Sequence, residues 1–129
     1  MHGTEWIVDA QGCSAPLLRS REDLDTLFRR IVSDLDLRTV GQTLWHQFPG
    51  PGGLTGLCLL SESHLACHTF PEFGLLCLNL FCCVPRARWD FESHLSRLFS
   101  AQSVLVREVR RQYSPLGQFE TIGAAREEP

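Results

Sequence analysis

The stretch Leu59–Cys83, LLSESHLACHTFPEFGLLCLNLFCC, decides how this chain is read. Its two apolar segments, Ser63–Phe70 and Leu75–Cys82, are of strand length and are joined by Pro71-Glu72-Phe73-Gly74. Proline and glycine punctuate that tetrapeptide as a tight turn, so the segments predict an antiparallel pair. Leu54–Ser61 (LTGLCLLS), just before them, is apolar on both faces and reads as a strand in the sheet interior. Within this block lie Ser61-Glu62-Ser63-His64, then Cys67-His68-Thr69-Phe70-Pro71-Glu72, and at its end Phe81-Cys82-Cys83, so hydroxyl, imidazole, carboxylate and thiol groups sit close together in apolar sequence. Such groups are costly to bury unless they are satisfied or used.

Outward from this block, Thr4–Ala10 (TEWIVDA) alternates Trp6 and Val8 against Glu5, Ile7 and Asp9, as a first strand does. Gly12–Pro16 reads as a loop. A helix is predicted from Ser20, a capping residue followed by Glu22 and Asp23, with Leu24, Leu27, Phe28, Ile31, Val32 and Leu35 on one stripe. Thr39–Phe48 reads as a second strand and Pro49–Gly53 as a loop. Beyond Pro85 a second helix is predicted, capped by Asp90, with Phe91, Leu95, Leu98 and Phe99 on one side; Ser103–Val109 is the last strand. The order β-α-β-β-β-β-α-β with short consecutive strands predicts an α+β two-layer sandwich: an antiparallel sheet with two helices on one face. Residues 1–112 form one domain, and the polar residues 113–129 read as a mobile tail.

The bulk properties exclude several classes. A net charge of −3 gives no electrostatic reason to bind nucleic acid or an anionic membrane. No apolar run reaches the roughly 20 residues of a membrane-spanning helix. The N-terminus, MHGTEWIVDAQG, lacks the basic-then-apolar pattern of a secretory signal, so a cytoplasmic location is expected. The six cysteines are then expected to be reduced, and no CxxC pair suggests a metal site.

The central stretch resembles the short prokaryotic form of S-adenosylmethionine decarboxylase, a self-cleaving pyruvoyl enzyme. That family's pattern reads roughly S-E-S-H-L-x-x-H-T-x-P-E-x-G, a hydrophobic strand, then F-x-C. Here it stands as Ser61-Glu62-Ser63-His64-Leu65, His68-Thr69, Pro71-Glu72, Gly74, and Phe81 with Cys83. Weaker similarity runs from about Gly3 to about Val109. The resemblance implies a homodimer of processed αβ units acting on a small-molecule substrate, with the site near the interface.

Amino-acid decarboxylation needs an electron sink, which unmodified side chains do not supply. The resemblance implies that the chain makes its own. The Ser63 hydroxyl attacks the Glu62 carbonyl, the peptide becomes an ester, and elimination cuts the chain into β (1–62) and α (63–129). Ser63 is left as the pyruvoyl group. By the same resemblance His68 is the base for elimination, Thr55 (serine in the family) supports processing, and Cys83 is the acid that protonates the product. Glu72, Phe48, Phe70 and Asp9 fall at or near substrate-binding positions, and His46 matches a family histidine through a segment one residue longer here. Taken singly, each of these is also an ordinary strand or turn residue. Residues 63 and 68 have opposite parity, so an unbroken strand points them to opposite faces.

The chain departs from the family pattern where substrate is recognised. Phe70, Phe73, Asn79, Cys82 and Val84 stand where tryptophan, tyrosine, aspartate, threonine and glycine are common. Glu5 falls at a family histidine. Three readings therefore stand at this point: decarboxylation of S-adenosylmethionine, decarboxylation of ornithine or arginine on the same fold, and an unprocessed, non-catalytic paralogue.

Overall fold

A computed structural model describes residues 2–113. Six strands form one antiparallel sheet: β1 (His2–Gln11), β2 (Leu44–Gln47), β3 (Leu54–Leu60), β4 (Ser63–Phe70), β5 (Leu75–Cys82) and β6 (Ser103–Gln112), in the spatial order β2-β3-β4-β5-β1-β6. The helices are α1 (Ala15–Leu18), α2 (Arg21–Asp34) and α3 (Phe91–Phe99). The chain belongs to the α+β class with two layers, as its sequence predicts.

Local chemistry sets each element. The Ser20 hydroxyl accepts the Asp23 N–H at 3.1 Å and starts α2, whose Leu24, Leu27, Phe28 and Ile31 are buried. Asp90 accepts the Ser93 N–H at 3.2 Å and starts α3, burying Phe91, Leu95 and Phe99. These apolar stripes meet Trp6, Val8, Leu65, Leu76, Leu78 and Leu80 on one face of the sheet, which is the core. Pro71–Phe73 forms a single 3-10 turn closed by Gly74 at φ 62°, a left-handed position that glycine takes without steric cost. Gly3 leaves room for the Tyr113 hydroxyl, which a Cβ there would meet.

Four elements differ from the sequence expectation. The predicted loop Gly12–Pro16 ends in a turn of helix, because Pro16 is tolerated in a first helical turn. The second strand is confined to Leu44–Gln47: Gly41 at φ 76° interrupts the extended run, and Thr39 keeps only an isolated bridge to Leu60. The last strand continues to Gln112 because backbone pairing with His2–Thr4 carries it beyond its apolar alternation. Strand β3 does lie inside the sheet, yet only one of its faces is covered: Leu57 and Leu59 are 47% and 55% exposed. Of the predicted tail, residues 114–129 lie outside the described residues.

Candidate active site

Alternation along the strands sorts the site residues onto two faces. In β4, Leu65, Cys67 and Thr69 are buried beneath the helices, while His68 and Phe70 are exposed on the helix-free face. Cross-strand register makes a row across that open face: Thr55 on β3 opposite His68 on β4, His68 opposite Cys77 on β5, and Cys77 opposite Asp9 on β1. Within this row the Thr55 hydroxyl lies 3.1 Å from His68 Nδ1. Either atom can be the donor, according to the tautomer of the ring; in the tautomer with hydrogen on Nδ1, Nδ1–H donates to Thr55 Oγ1 and the Nε2 lone pair is left free.

A cleft of about 480 Å³ opens beside this pair, lined by Phe48, Thr55, His68, Phe70 and Glu72 and closed by the loop prolines Pro49 and Pro51. Thr69 anchors its floor. The Thr69 hydroxyl donates to the Leu18 carbonyl and accepts the Leu54 N–H, each at 2.8 Å, tying α1, β3 and β4 together. Phe48 and Phe70 are 49% and 36% exposed, so aromatic surface is open to a ligand. His46 stands edge-on to Phe48 with ring centroids 4.6 Å apart. Asp9 does not line the cleft; its carboxylate pairs with Arg107 at 3.0 Å.

Ser63 and Cys83 lie at the other end of β4. Ser63 Oγ is 3.2 Å from Cys83 Sγ. The Cys83 N–H donates to the Glu62 carbonyl at 3.0 Å, polarising the carbonyl next to Ser63. At Ser63 φ is 159°, bordering the extended range, and the residue still pairs with Leu60 and Cys82. Glu62 is held from its other end as well, by Arg86 Nη2 at 2.6 Å. Cys82 is 1% exposed in the core, and burial pushes its thiol up to about 11. Its neighbour Cys83 is only partly buried.

The structure thus brings the sequence-predicted residues into two groups, Ser63–Cys83 with Glu62, and Thr55–His68 with Phe48, Phe70 and Glu72. It does not join them within one chain. Ser63 and His68 are five steps apart along the strand, about 16 Å at about 3.3 Å per residue. Two neighbours of the first group escaped sequence reasoning. Arg86 sits in an irregular segment where no periodicity marks it. Tyr113 stands at the edge of the polar tail; its phenol is pushed up by burial and, next, by the adjacent Cys83 thiol.

Fold and site together define a class: a small α+β sheet domain with a serine–thiol pair against a polarised peptide carbonyl and a threonine–histidine pair in an aromatic cleft. The family model for S-adenosylmethionine decarboxylase matches residues 4–112. A relative from Pelotomaculum thermopropionicum, called S-adenosylmethionine decarboxylase proenzyme, is 31% identical over 88% of this chain and 89% of its own. Another of the same name, from Acetivibrio thermocellus, is 32% identical over 84% and 87%. The solved structure of the adenosylmethionine decarboxylase from Aquifex aeolicus superposes with a TM-score of 0.71 at 23% identity, covering 87% of this chain and 92% of that one. This chain belongs to the S-adenosylmethionine decarboxylase family, whose members are pyruvoyl-dependent carboxy-lyases.

Proposed function

We propose that the chain cleaves itself between Glu62 and Ser63 and then decarboxylates S-adenosyl-L-methionine for polyamine (spermidine) biosynthesis. The observation that carries this reading is the geometry at the scissile bond: the Glu62 carbonyl takes the Cys83 N–H at 3.0 Å while the Ser63 hydroxyl meets the Cys83 thiol at 3.2 Å. Attack of Ser63 Oγ on that carbonyl puts negative charge on an oxygen that already faces a backbone donor. These residues fit a pyruvoyl group formed at position 63, which supplies the electron sink for the pair left as carbon dioxide departs. The Cys83 thiol, next to that position, is placed to deliver the proton that completes the product.

Elimination also needs a base at Ser63, and His68 is about 16 Å away on the same strand. A homodimer answers this. A two-fold axis crossing β4 at right angles near its middle, with the open faces of two sheets together, sets the Ser63 end of one copy against the His68 end of the other. Val40, Leu44, Leu57 and Leu59, each between 47% and 69% exposed, supply apolar surface for such a contact. Each site then takes Ser63 and Cys83 from one copy and Thr55, His68, Phe48, Phe70 and Glu72 from its partner. Phe48 and Phe70 offer faces to an adenine ring and to a sulfonium, and Glu72 an acceptor to ribose hydroxyls.

The ornithine or arginine reading asks for a free carboxylate for a second basic group. Glu5, its candidate, already accepts from Asn79 at 3.0 Å and Arg111 at 3.4 Å. The family and its named relatives also favour S-adenosylmethionine over that reading and over a non-catalytic paralogue. We place the protein in the cytoplasm, where six free thiols stay reduced. No helix among the described residues is long and apolar enough to cross a membrane. Release of labelled carbon dioxide from carboxyl-labelled S-adenosylmethionine, ornithine and arginine in parallel tests the substrate. Turnover of the first alone is expected, and preferential turnover of either other amino acid overturns the assignment.

A further inference from the structure

Arg86 lies four residues beyond β5, outside every helix and strand, and reaches back to the residue whose peptide bond is to be cut. Its Nη2 donates to Glu62 Oε2 at 2.6 Å. The two side chains are 23% and 22% exposed, against 40% or more for both partners of the surface pair Arg88–Glu92. Two atoms of this pair are left over: Glu62 Oε1 and Arg86 Nε are buried and have no hydrogen-bond partner among the described residues. A buried guanidinium N–H with nothing to donate to is costly unless a later state uses it.

We propose that Arg86 is a positioning residue for self-cleavage and then the receptor for the carboxylate that cleavage creates. This rests on the self-processing reading above. In that sequence Ser63 Oγ bonds to the Glu62 carbonyl carbon, the C–N bond breaks, and the hydroxyl proton passes to the released amine. A base then takes the Ser63 Cα proton, a Cα–Cβ double bond forms, and the Cβ–Oγ bond breaks. Its electron pair leaves on the new α-carboxylate of Glu62. The leaving group is therefore an anion born one residue's breadth from a guanidinium that already holds the same residue's side chain. Arg86 Nε–H, without a partner before cleavage, is the donor that this second carboxylate meets. Arg86 thus fixes Glu62 before the cut and stabilises the departing group during it.

The test follows freshly translated chain as it converts to two fragments, with hydroxylamine added to capture ester. Arg86→Ala is expected to slow conversion on the order of tenfold and to accumulate hydroxylamine-sensitive ester, as a lost charge-assisted contact to a leaving anion requires. Arg86→Lys, which keeps the charge, should recover much of the rate. Arg88→Ala, which removes the surface pair with Glu92 and no hydrogen bond to Glu62 or Ser63, should convert like wild type. A second measurement guards against simple misfolding. On a Glu62→Gln background the side-chain charge is gone, so only the new α-carboxylate remains for Arg86. Adding Arg86→Ala should then lower the melting temperature more in cleaved protein than in uncleavable Ser63→Ala protein. Equal losses in both backgrounds, or wild-type conversion by Arg86→Ala beside a cleaving wild type, overturn the Arg86 assignment alone. A wild-type chain that stays whole removes the self-processing reading and this inference with it.

Discussion

The Ser63 hydroxyl lies 3.2 Å from the Cys83 thiol, across the end of the β4–β5 pair. The second such contact, Thr55 with His68 at 3.1 Å, lies at the opposite end of β4. The proposed nucleophile and acid thus share one end of a strand, while the proposed base and supporting hydroxyl share the other. The proposed two-copy site is what would bring these two ends of the strand together.

That arrangement makes a sharp genetic prediction. Neither Ser63→Ala nor His68→Ala protein should cleave by itself. Produced together, the His68→Ala chain should be cut, because the Ser63→Ala partner supplies its His68 in trans. Separable tags on the two chains and a denaturing gel read this directly. A His68→Ala chain that stays whole in the mixture, or cleaves unaided, contradicts the shared site.

The adjacent cysteines separate chemistry from packing. Cys83→Ala should still process, since cleavage requires Ser63 and the base, but its turnover should be low and should die away with substrate exposure because the product proton comes from the wrong place. Cys82→Ala should retain most activity while losing about 1 kcal/mol of stability from a small core void. Progress curves and denaturant midpoints of both variants check this. Equal activity loss in both would make Cys83 a packing residue.

Alkaline pH should weaken the fold in reductant. Burial pushes Cys13 and Cys82 up to about 11 and Cys67 up to about 12, from a usual value of 9.0. As pH rises past about 9 the unfolded chain releases these protons while the folded one retains them. The unfolded state then binds fewer protons, so stability falls with rising pH, by up to about 1.4 kcal/mol per unit for each thiol. Below about pH 8 these groups contribute no slope. Urea midpoints at pH 8, 9 and 10 should decline progressively, and Cys67→Ala should show a shallower decline. A flat series contradicts this burial-linked behaviour.

Much of the fold was legible in the sequence because its signals are local. Ser20 and Asp90 announce their helices by capping chemistry, and the turn at Pro71–Gly74 fixes the β4–β5 hairpin. The apolar pattern of β3 on both faces predicts a strand in the sheet interior, and β3 does lie between β2 and β4. One chain covers only the side carrying Cys58 and Leu60, and the leucines facing outward fit the proposed second copy. The motif spacing singled out Ser63, His68 and Cys83 as candidates, but parity speaks only of the two faces of a strand; the separation of Ser63 and His68 along β4 is visible only in the folded sheet. Spacing along one chain gives no hint of Arg86 or Tyr113, since each reaches the site from an irregular segment. The pairing of Asp9 with Arg107 was equally hidden, because it joins strands 98 residues apart in the chain.

The mass of the purified protein under denaturing conditions tests the central claim most directly. The account predicts two chains, residues 1–62 with a free carboxylate at Glu62, and residues 63–129 with a pyruvoyl group in place of Ser63. A single chain of 129 residues retaining Ser63 would contradict it.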